Sequence, residues 1–212
     1  MSFPHPLLDD ASTLASFQGW TEEVYADFLL LQSGELSEAE FNEKYHWERA
    51  ILVMDMTGFT NAAMHRGEIH SLLRIVDAQK VVIPILQEFG AQLIRCFADD
   101  VIALFEDPNH ALDASFEIHR RIEVFNDSPL SSDHPTRCCA GIGFGTVFAI
   151  GPNLAQGDEM NRAAKLGEDI ARANETLLTE NAFSATGHRN DVHFEKQDSD
   201  DQLFPFYRAL EP

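Results

Sequence analysis

The sequence predicts an α/β fold in which helices cover a mixed β-sheet, and two observations carry this prediction. Short apolar runs typical of buried strands alternate with longer segments whose apolar residues have helical spacing. From residue 50 onward the predicted order of elements is β-α-β-β-α-β, followed by a further helix and a closing hairpin.

The first predicted strand is the continuous apolar run Ala50–Met54, as expected for a strand buried on both faces. It ends at Asp55, and a loop containing Gly58 follows. The next segment, EIHSLLRIVDAQKVVIPILQEFG, predicts a long amphipathic helix that ends at Gly90. We expect Pro84 to kink this helix or to mark its last turns.

The rest of the chain supplies the remaining elements of the sheet. AQLIRCFA and VIALFE predict two short strands, and PNHALDASFEIHRRIEVFND predicts a second helix. RCCAGIGFGTVFAIG predicts two strands joined by a tight turn at Gly143–Gly145, and GDEMNRAAKLGEDIARA predicts a third helix. ETLLT, ENAFSAT, VHFEKQ and PFYRALE add a strand, a short helical turn and a C-terminal hairpin. The fold class is therefore α/β (α+β), with a ferredoxin-like βαββαβ core sheet, covering helices and a C-terminal hairpin.

Residues 1–46 are predicted to form an N-terminal helical extension, and residues 47–212 the main domain. The first helix of the extension places three apolar residues on one stripe, Val24, Phe28 and Leu31. Ser37 and Glu40 have the spacing of a capping box at the start of a second helix. The extension is interpreted as a cover for the domain or a dimer contact, with a regulatory arm as the alternative.

The formal net charge of −20 excludes nucleic acid and anionic membranes as expected partners, because both require clustered Lys and Arg. No apolar run approaches the roughly 20 residues of a membrane helix, and MSFPHPLLDD is not typical of a signal peptide. A cytoplasmic location is therefore expected. The three cysteines have no metal-ligand spacing and are predicted to be plain buried residues, Cys96, Cys138 and Cys139.

Two carboxylates follow predicted strands. Asp55 ends the first strand, and Asp99 lies at the turn between the second and third. Because the first strand of a split sheet commonly neighbours the third, both acids could meet at one edge and form a hard-oxygen site suited to Mg²⁺ or Mn²⁺. Two such ions could clamp a phosphoryl centre. The glycine-containing loop MTGFT could offer backbone N–H groups to a phosphate.

The third predicted helix carries Asn161 and Lys165, which are four residues apart and share one face. An amide and a cation on one face could hold a ribose and a phosphate. The alternative is an ordinary solvated face.

Four stretches in order, VMDMTGFT, LIRCFADDVIALF, GIGFGTVFAIG and GDEMNRAAKLGED, resemble the catalytic domain of class III nucleotidyl cyclases, the adenylate and guanylate cyclase superfamily. The resemblance covers roughly residues 48–180. It implies an enzyme that closes the 3′-hydroxyl of a nucleoside triphosphate onto its own α-phosphate and releases pyrophosphate, for second-messenger signalling. It also implies two divalent ions per site, Mg²⁺ or Mn²⁺, and a head-to-tail homodimer whose sites lie at the interface.

The resemblance further implies roles for individual residues. The metal ligands would be Asp55, Asp99 and the backbone carbonyl of Met56, and the β- and γ-phosphates would contact Thr57, Gly58, Phe59 and Thr60. Asn161 matches the residue that orients the ribose, and Lys165 matches a position that is often arginine and that stabilises phosphate charge. Lysine keeps the charge there but lacks the bidentate fork of arginine.

Two further positions depart from the family pattern. Arg95 and Leu154 stand where many adenylate cyclases read the purine with lysine and aspartate. ATP is the expected substrate, with GTP or a pyrimidine triphosphate (UTP or CTP) as alternatives, and a catalytically weak nucleotide-binding module as a further one. Ala98 replaces a common glycine before Asp99. Asp100 is expected to point to the opposite face from Asp99, as a polar turn residue.

Overall fold

The structure, a computed structural model, describes six stretches of the chain: residues 6–17, 19–57, 67–129, 135–150, 155–197 and 204–211. The chain divides into two compact units. The N-terminal unit comprises Met1–Trp47 with Thr146–Gly157, and the larger unit comprises Glu48–Gly145 with Asp158–Pro212.

The helices of the N-terminal unit are α1 (Ala11–Ala15), α2 (Glu22–Ser33) and α3 (Glu38–Tyr45). The predicted capping box at the start of α3 is confirmed, since the Ser37 hydroxyl accepts from the Glu40 N–H while the Glu40 carboxylate accepts from the Ser37 N–H. The predicted apolar stripe is also confirmed, because its three residues belong to one apolar cluster with Phe41 and Tyr45.

The other elements follow in chain order. They are β1 (His46–Met56), α4 (Glu68–Glu88), β2 (Leu93–Phe97), β3 (Asp100–Phe105), α5 (Pro108–Asn126), β4 (Cys138–Ala149), β5 (Ala155–Gln156), α6 (Asp158–Ala164), a π-helix (Lys165–Ile170), β6 (Thr176–Thr179), α7 (Glu180–Thr186), β7 (His193–Gln197) and β8 (Phe206–Leu210). Among the described residues, no helix is both long enough and apolar enough to cross a membrane.

The sheet has the strand order β2-β3-β1-β4-β6-β8-β7, and β5 pairs with β4. The pairs β1–β3 and β2–β3 are antiparallel, whereas β4 and β6 are parallel, so the sheet is mixed as predicted. The prediction that the first strand neighbours the third is confirmed. The C-terminal hairpin is confirmed as well, with β7 paired antiparallel to β8.

One face of the sheet packs against α4 and α5. Leu52 and Met54 of β1 and Val101 of β3 lie in the main apolar core with residues of both helices, such as Val82 and Leu112. Because side chains alternate across a strand, the residues between them belong to the other face. The helix α6 and the π-helix lie against that second face.

Two glycines of β4 permit this second layer. A Cβ at Gly143 would lie 2.7 Å from the carbonyl oxygen of Glu159 in α6, and a Cβ at Gly141 would clash with the backbone of Ala163. The predicted turn at Gly143–Gly145 is therefore wrong, since β4 is one continuous strand. These glycines serve the close approach of a helix rather than a reversal of the chain.

The third predicted helix is also corrected. It is α-helical only over Asp158–Ala164 and continues as the π-helix Lys165–Ile170. At Gly167 a Cβ would lie 2.5 Å from the carbonyl oxygen of Val53, so the π-helix packs directly on the backbone of β1. A π-helix is uncommon, and it often occurs at functional sites.

Candidate active site

The register of β1 and β3 brings two acids face to face. Met54 pairs with Val101, so Asp55 and Asp100 occupy the next cross-strand position. Met54 and Val101 lie in the main core, and by alternation Asp55 and Asp100 belong to the opposite face, which carries the π-helix. Directly opposed side chains are close neighbours in an antiparallel pair, with Cβ atoms roughly 5 Å apart.

Asp99 reaches the same place from a turn. Phe97 pairs with Asp100, so Ala98 and Asp99 form a two-residue hairpin connection between β2 and β3. Ala98 has φ 52°, a left-handed conformation that favours glycine. Its carbonyl oxygen accepts a hydrogen bond of 3.2 Å from the Gln79 side chain of α4, which ties the turn to that helix.

The three acids converge. One carboxylate oxygen from each of Asp55, Asp99 and Asp100 lies within 4.8 Å of the other two, and all three residues are partly buried. The prediction that Asp100 points away from Asp99 is wrong. It assumed an extended strand through both residues, whereas Asp99 belongs to the turn and Asp100 begins β3.

Electrostatics make this cluster unfavourable for negative charge. Burial and the nearby charges of Asp99, Asp100 and Glu168 raise the pKa of Asp55 to about 6, although the N–H of Met56 opposes the shift. Burial and Asp99 raise the pKa of Asp100, and Arg95 opposes that shift. A divalent cation would relieve this repulsion, and carboxylate oxygens are the ligands that Mg²⁺ and Mn²⁺ prefer.

The backbone behind Asp55 is held by a buried thiol. Cys139 Sγ lies 3.1 Å from the carbonyl oxygen of Gly167 and 3.6 Å from that of Asp55. Burial and the charge of Asp55 raise the pKa of this thiol to about 12, so it remains a neutral donor. The prediction that Cys138 and Cys139 are plain buried residues is confirmed, and Cys96 is half-buried.

The predicted phosphate loop begins inside the described residues. Thr57 follows β1, and both its N–H and its hydroxyl donate to the carbonyl oxygen of Arg137, at 2.9 and 3.3 Å. Met56, the predicted carbonyl ligand, is the last residue of β1 and has a buried side chain. The predicted contacts at Gly58, Phe59 and Thr60 lie outside the described residues, and their role stays a prediction.

Asn161 and Lys165 lie on successive parts of one helical segment. Asn161 is in α6 and exposed, whereas Lys165 is the first residue of the π-helix. The ammonium group of Lys165 forms a 2.6 Å ion pair with Asp169. This contact was not predicted, and it leaves the other N–H donors of the ammonium group available.

Arg95 lies on β2, on the same face as Asp100. Its register partner on β3 is Ile102, two residues after Asp100, and its guanidinium lies 5.6 Å from the centre of the Phe97 ring. Phe97 is 66% exposed, unusual for a phenylalanine. Arg95 therefore makes a cation–π contact with a largely exposed ring. Leu154, the other predicted base-reading residue, lies outside the described residues.

A buried acid outside the aspartate cluster was not predicted from the sequence. Glu159, in the first turn of α6, is only 6% exposed. Its carboxylate accepts hydrogen bonds from the Phe144 N–H at 3.2 Å, the Thr179 hydroxyl at 2.7 Å and the Asn181 amide at 3.0 Å. The sequence offers one signal for this role. Glu159 lies beside Met160 at the start of α6, the helix that packs against the glycines of β4.

Comparisons with known proteins agree with the geometry. No protein-family model matches the sequence, and no curated protein matches it significantly. Solved structures do match. The adenylyl cyclase CyaB from P. aeruginosa is 17% identical with a TM-score of 0.65, over 79% of this chain and 96% of that chain.

Two further structures give the same result. The guanylate cyclase domain of RhGC from Catenaria anguillulae, in complex with GTP, is 13% identical with a TM-score of 0.65, over 78% of this chain and 98% of that chain. An adenylate/guanylate cyclase/hydrolase from Silicibacter pomeroyi is 22% identical with a TM-score of 0.64, over 77% of this chain and 95% of that chain. The chain has the fold of class III cyclase catalytic domains, which confirms the resemblance at the level of the fold.

Proposed function

We propose that this protein is a class III nucleotidyl cyclase that converts a nucleoside triphosphate to its 3′,5′-cyclic nucleotide and pyrophosphate. The observation that carries the proposal is the convergence of Asp55 and Asp99 at the end of β1 and at the β2–β3 turn of a cyclase fold. The sequence resemblance assigns the metal-binding aspartates to these same two residues.

The cluster fits divalent cations in its donor chemistry. Its three carboxylates are hard oxygen donors within 4.8 Å of one another. No Lys or Arg of the described stretches forms an ion pair with any of the three. Asp55, Asp99 and the carbonyl of Met56 would hold Mg²⁺ or Mn²⁺, and Asp100 adds a third carboxylate beside them. Bound there, two ions would polarise the α-phosphate and lower the pKa of the 3′-hydroxyl.

The remaining residues would bind and orient the substrate. Thr57 and the loop after it would bind the β- and γ-phosphates, and Asn161 would hold the ribose. Lys165 would stabilise the charge that develops as pyrophosphate leaves. Arg95 would contact the base as a donor, which favours a base with carbonyl acceptors such as guanine or a pyrimidine. ATP is nevertheless the substrate that the resemblance suggests first, with GTP or a pyrimidine triphosphate as the alternatives.

A cytoplasmic homodimer with two sites at its interface completes the proposal. In support, α4 exposes four apolar side chains with the i, i+3, i+4, i+7 spacing of one helix face, Ile69, Leu72, Leu73 and Val76. An exposed stripe of that kind is typical of a protein–protein contact. The division into a helical extension of residues 1–46 and a catalytic domain of residues 47–212 is also part of the proposal.

A second candidate function is a nucleotide-binding module with weak turnover. The observation that favours it is the Lys165–Asp169 ion pair, which competes with a phosphate for the proposed cation. A monodentate lysine also stabilises a phosphoryl group less specifically than arginine.

The proposed activity is tested by incubating the protein separately with ATP, GTP, CTP and UTP in Mn²⁺ and identifying the products by mass. A cyclase yields equimolar cyclic nucleotide and pyrophosphate with at least one of the four. The weak-module alternative predicts saturable binding of a triphosphate without turnover.

Matched variants locate the activity. Asp55→Asn and Asp99→Asn should each lower the rate at least about 1,000-fold, since metal ligation supplies several kcal/mol of barrier reduction. Asp9→Asn, an exposed acid in the N-terminal unit, should retain it. Full activity in folded Asp55→Asn and Asp99→Asn variants would refute the metal assignment.

A further inference from the structure

The N-terminal unit holds a cavity of its own, of about 690 Å³, between α2, α3 and the β4–β5 pair. Cavities that bind small molecules commonly have roughly 300–1,000 Å³. The apolar lining comes from six residues: Trp20, Phe28, Leu31, Phe41, Phe148 and Ile150. The proposed cyclase reaction uses none of them.

The wall of this cavity is a connected series of aromatic rings. The ring centres of Trp20 and Phe28 lie 4.8 Å apart, as do those of Phe28 and Phe41, and the centres of Phe41 and Phe148 are 6.1 Å apart. Each ring is tilted against the next, which is a favourable arrangement for aromatic pairs. The rings hold one another in place, so the cavity presents a preformed surface suited to a flat apolar molecule.

The polar residues of the lining indicate which polar or charged group a ligand would carry. Glu38, Asn42 and Gln156 line the cavity and are exposed to solvent, so they lie at its rim. Among the described residues of the lining, Glu38 is the one ionisable group and none is basic. A carboxylate with two amides favours a ligand that donates hydrogen bonds or carries positive charge, and it disfavours an anion.

We propose that this cavity is a binding site for a small aromatic amine. The ring system would lie among Trp20, Phe28 and Phe41, and the ammonium group would reach Glu38 at the rim. The site is distinct in chemistry from the nucleotide site, which would take a metal-bound polyanion. Its existence does not depend on the cyclase proposal.

Three matched probes test the proposal on the full-length chain. They share a biphenyl group and differ in the attached head: 2-(4-biphenylyl)ethylamine, 2-(4-biphenylyl)ethanol and 4-biphenylacetate. The chain has two tryptophans, Trp20 and Trp47, so the Trp47→Phe variant makes Trp20 the single reporter. The amine should change Trp20 fluorescence saturably with a sub-millimolar midpoint. The alcohol should bind more weakly, and the acetate most weakly.

The charge preference is tested at Glu38. Glu38→Gln should weaken binding of the amine about fivefold, the upper range for an exposed ion pair, and should leave the alcohol unaffected. Glu43→Gln, on the same helix but outside the lining, should change neither. Equal binding of the amine and the acetate to the unmodified chain would overturn the proposal.

The location is tested on two adjacent residues of α2. Leu31→Tyr narrows the cavity and should weaken binding at least fivefold, whereas Leu30→Tyr, at an exposed neighbour outside the lining, should not. Equal loss in both variants, or no Trp20 response to any probe, would overturn the proposal. Sedimentation of both variants tests whether a second copy of the chain occupies the cavity instead. If Leu31→Tyr alone dissociates a dimer, the cavity holds a second copy of the chain, and the amine site is refuted.

Discussion

The larger unit places buried or half-buried carboxylates in two opposite surroundings. Glu159 is almost fully buried and accepts hydrogen bonds from a backbone N–H, a hydroxyl and an amide. The Asp55–Asp99–Asp100 cluster is more exposed, yet its members mainly face one another. A buried charge is tolerated when donors surround it.

The difference distinguishes an acid whose charge the fold neutralises from acids whose carboxylates are open to a cation. Glu159 joins α6 to β4, β6 and α7, and its charge is already satisfied by protein groups. Among the residues that the structure describes, the N–H of Met56 is the one such donor to Asp55, so the repulsion within the aspartate cluster remains uncompensated there. The aspartate cluster therefore lowers the stability of the fold, whereas Glu159 raises it.

Removal of Glu159 should have the largest effect on stability. Glu159→Ala leaves three donors without an acceptor in a buried place, and we expect a loss of about 3 kcal/mol in the free energy of unfolding. Urea denaturation measures it. Glu168→Ala, which removes an exposed acid that repels the cluster, should leave stability unchanged or slightly higher. A loss below about 1 kcal/mol for Glu159→Ala would remove the structural half of the comparison.

Asp100 should contribute to metal affinity. Removing one of three charges within a few ångströms of a divalent ion should weaken Mn²⁺ binding about tenfold in Asp100→Asn. Calorimetric titration with Mn²⁺ measures the change, with Asp9→Asn as the control. Unchanged affinity would return Asp100 to the role of a polar turn residue that the sequence predicted.

The turn that carries Asp99 should be strained at Ala98. Because φ there is 52°, Ala98→Gly should raise the free energy of unfolding by about 1 kcal/mol. Ala103→Gly, in the middle of β3, should lower it instead. Thermal or urea unfolding compares the two variants. If Ala98→Gly destabilises the protein as Ala103→Gly does, the turn stores no strain.

Asp55 should make the metal-free protein less stable at high pH. Its pKa is about 6 in the folded chain against 3.8 ordinarily, so the folded state binds more protons between these values. Stability from this group therefore falls as pH rises from about 4 through 6, and is lowest above 6.

The matching measurement compares Asp55→Asn with the unmodified chain in chelator. The variant should melt at a higher temperature at pH 7.5, and the difference should shrink towards zero near pH 4. An Asp55→Asn variant that melts lower at pH 7.5 would show that the cluster is not repulsive.

Much of the fold could be predicted because its signals are local. The continuous run Ala50–Met54, the helix that ends at Gly90 and the capping box at Ser37 each follow from nearby residues, and the structure confirms all three. The β1–β3 pairing followed from the order of elements alone. That order predicts that Asp55 and Asp99 meet at one edge of the sheet.

The predictions from sequence fail where the role of a residue depends on partners that are distant in the chain. Gly143 reads as a turn residue, yet it makes room for α6, which comes later in the chain. The orientation of Asp100 depends on the exact turn position, and a shift of one residue reverses the face of a side chain. Glu159 and the π-helix were missed because their partners, Thr179 and Val53, are remote in sequence.

The central claim is that the aspartate cluster, and not the buried glutamate, holds a cation. Electron paramagnetic resonance of Mn²⁺ titrated into the metal-free protein at pH 7.5 tests it most directly. We predict at least one bound ion in the unmodified chain and in Glu159→Gln, with binding lost in Asp55→Asn and Asp99→Asn. Equal Mn²⁺ binding by all four proteins would contradict the claim.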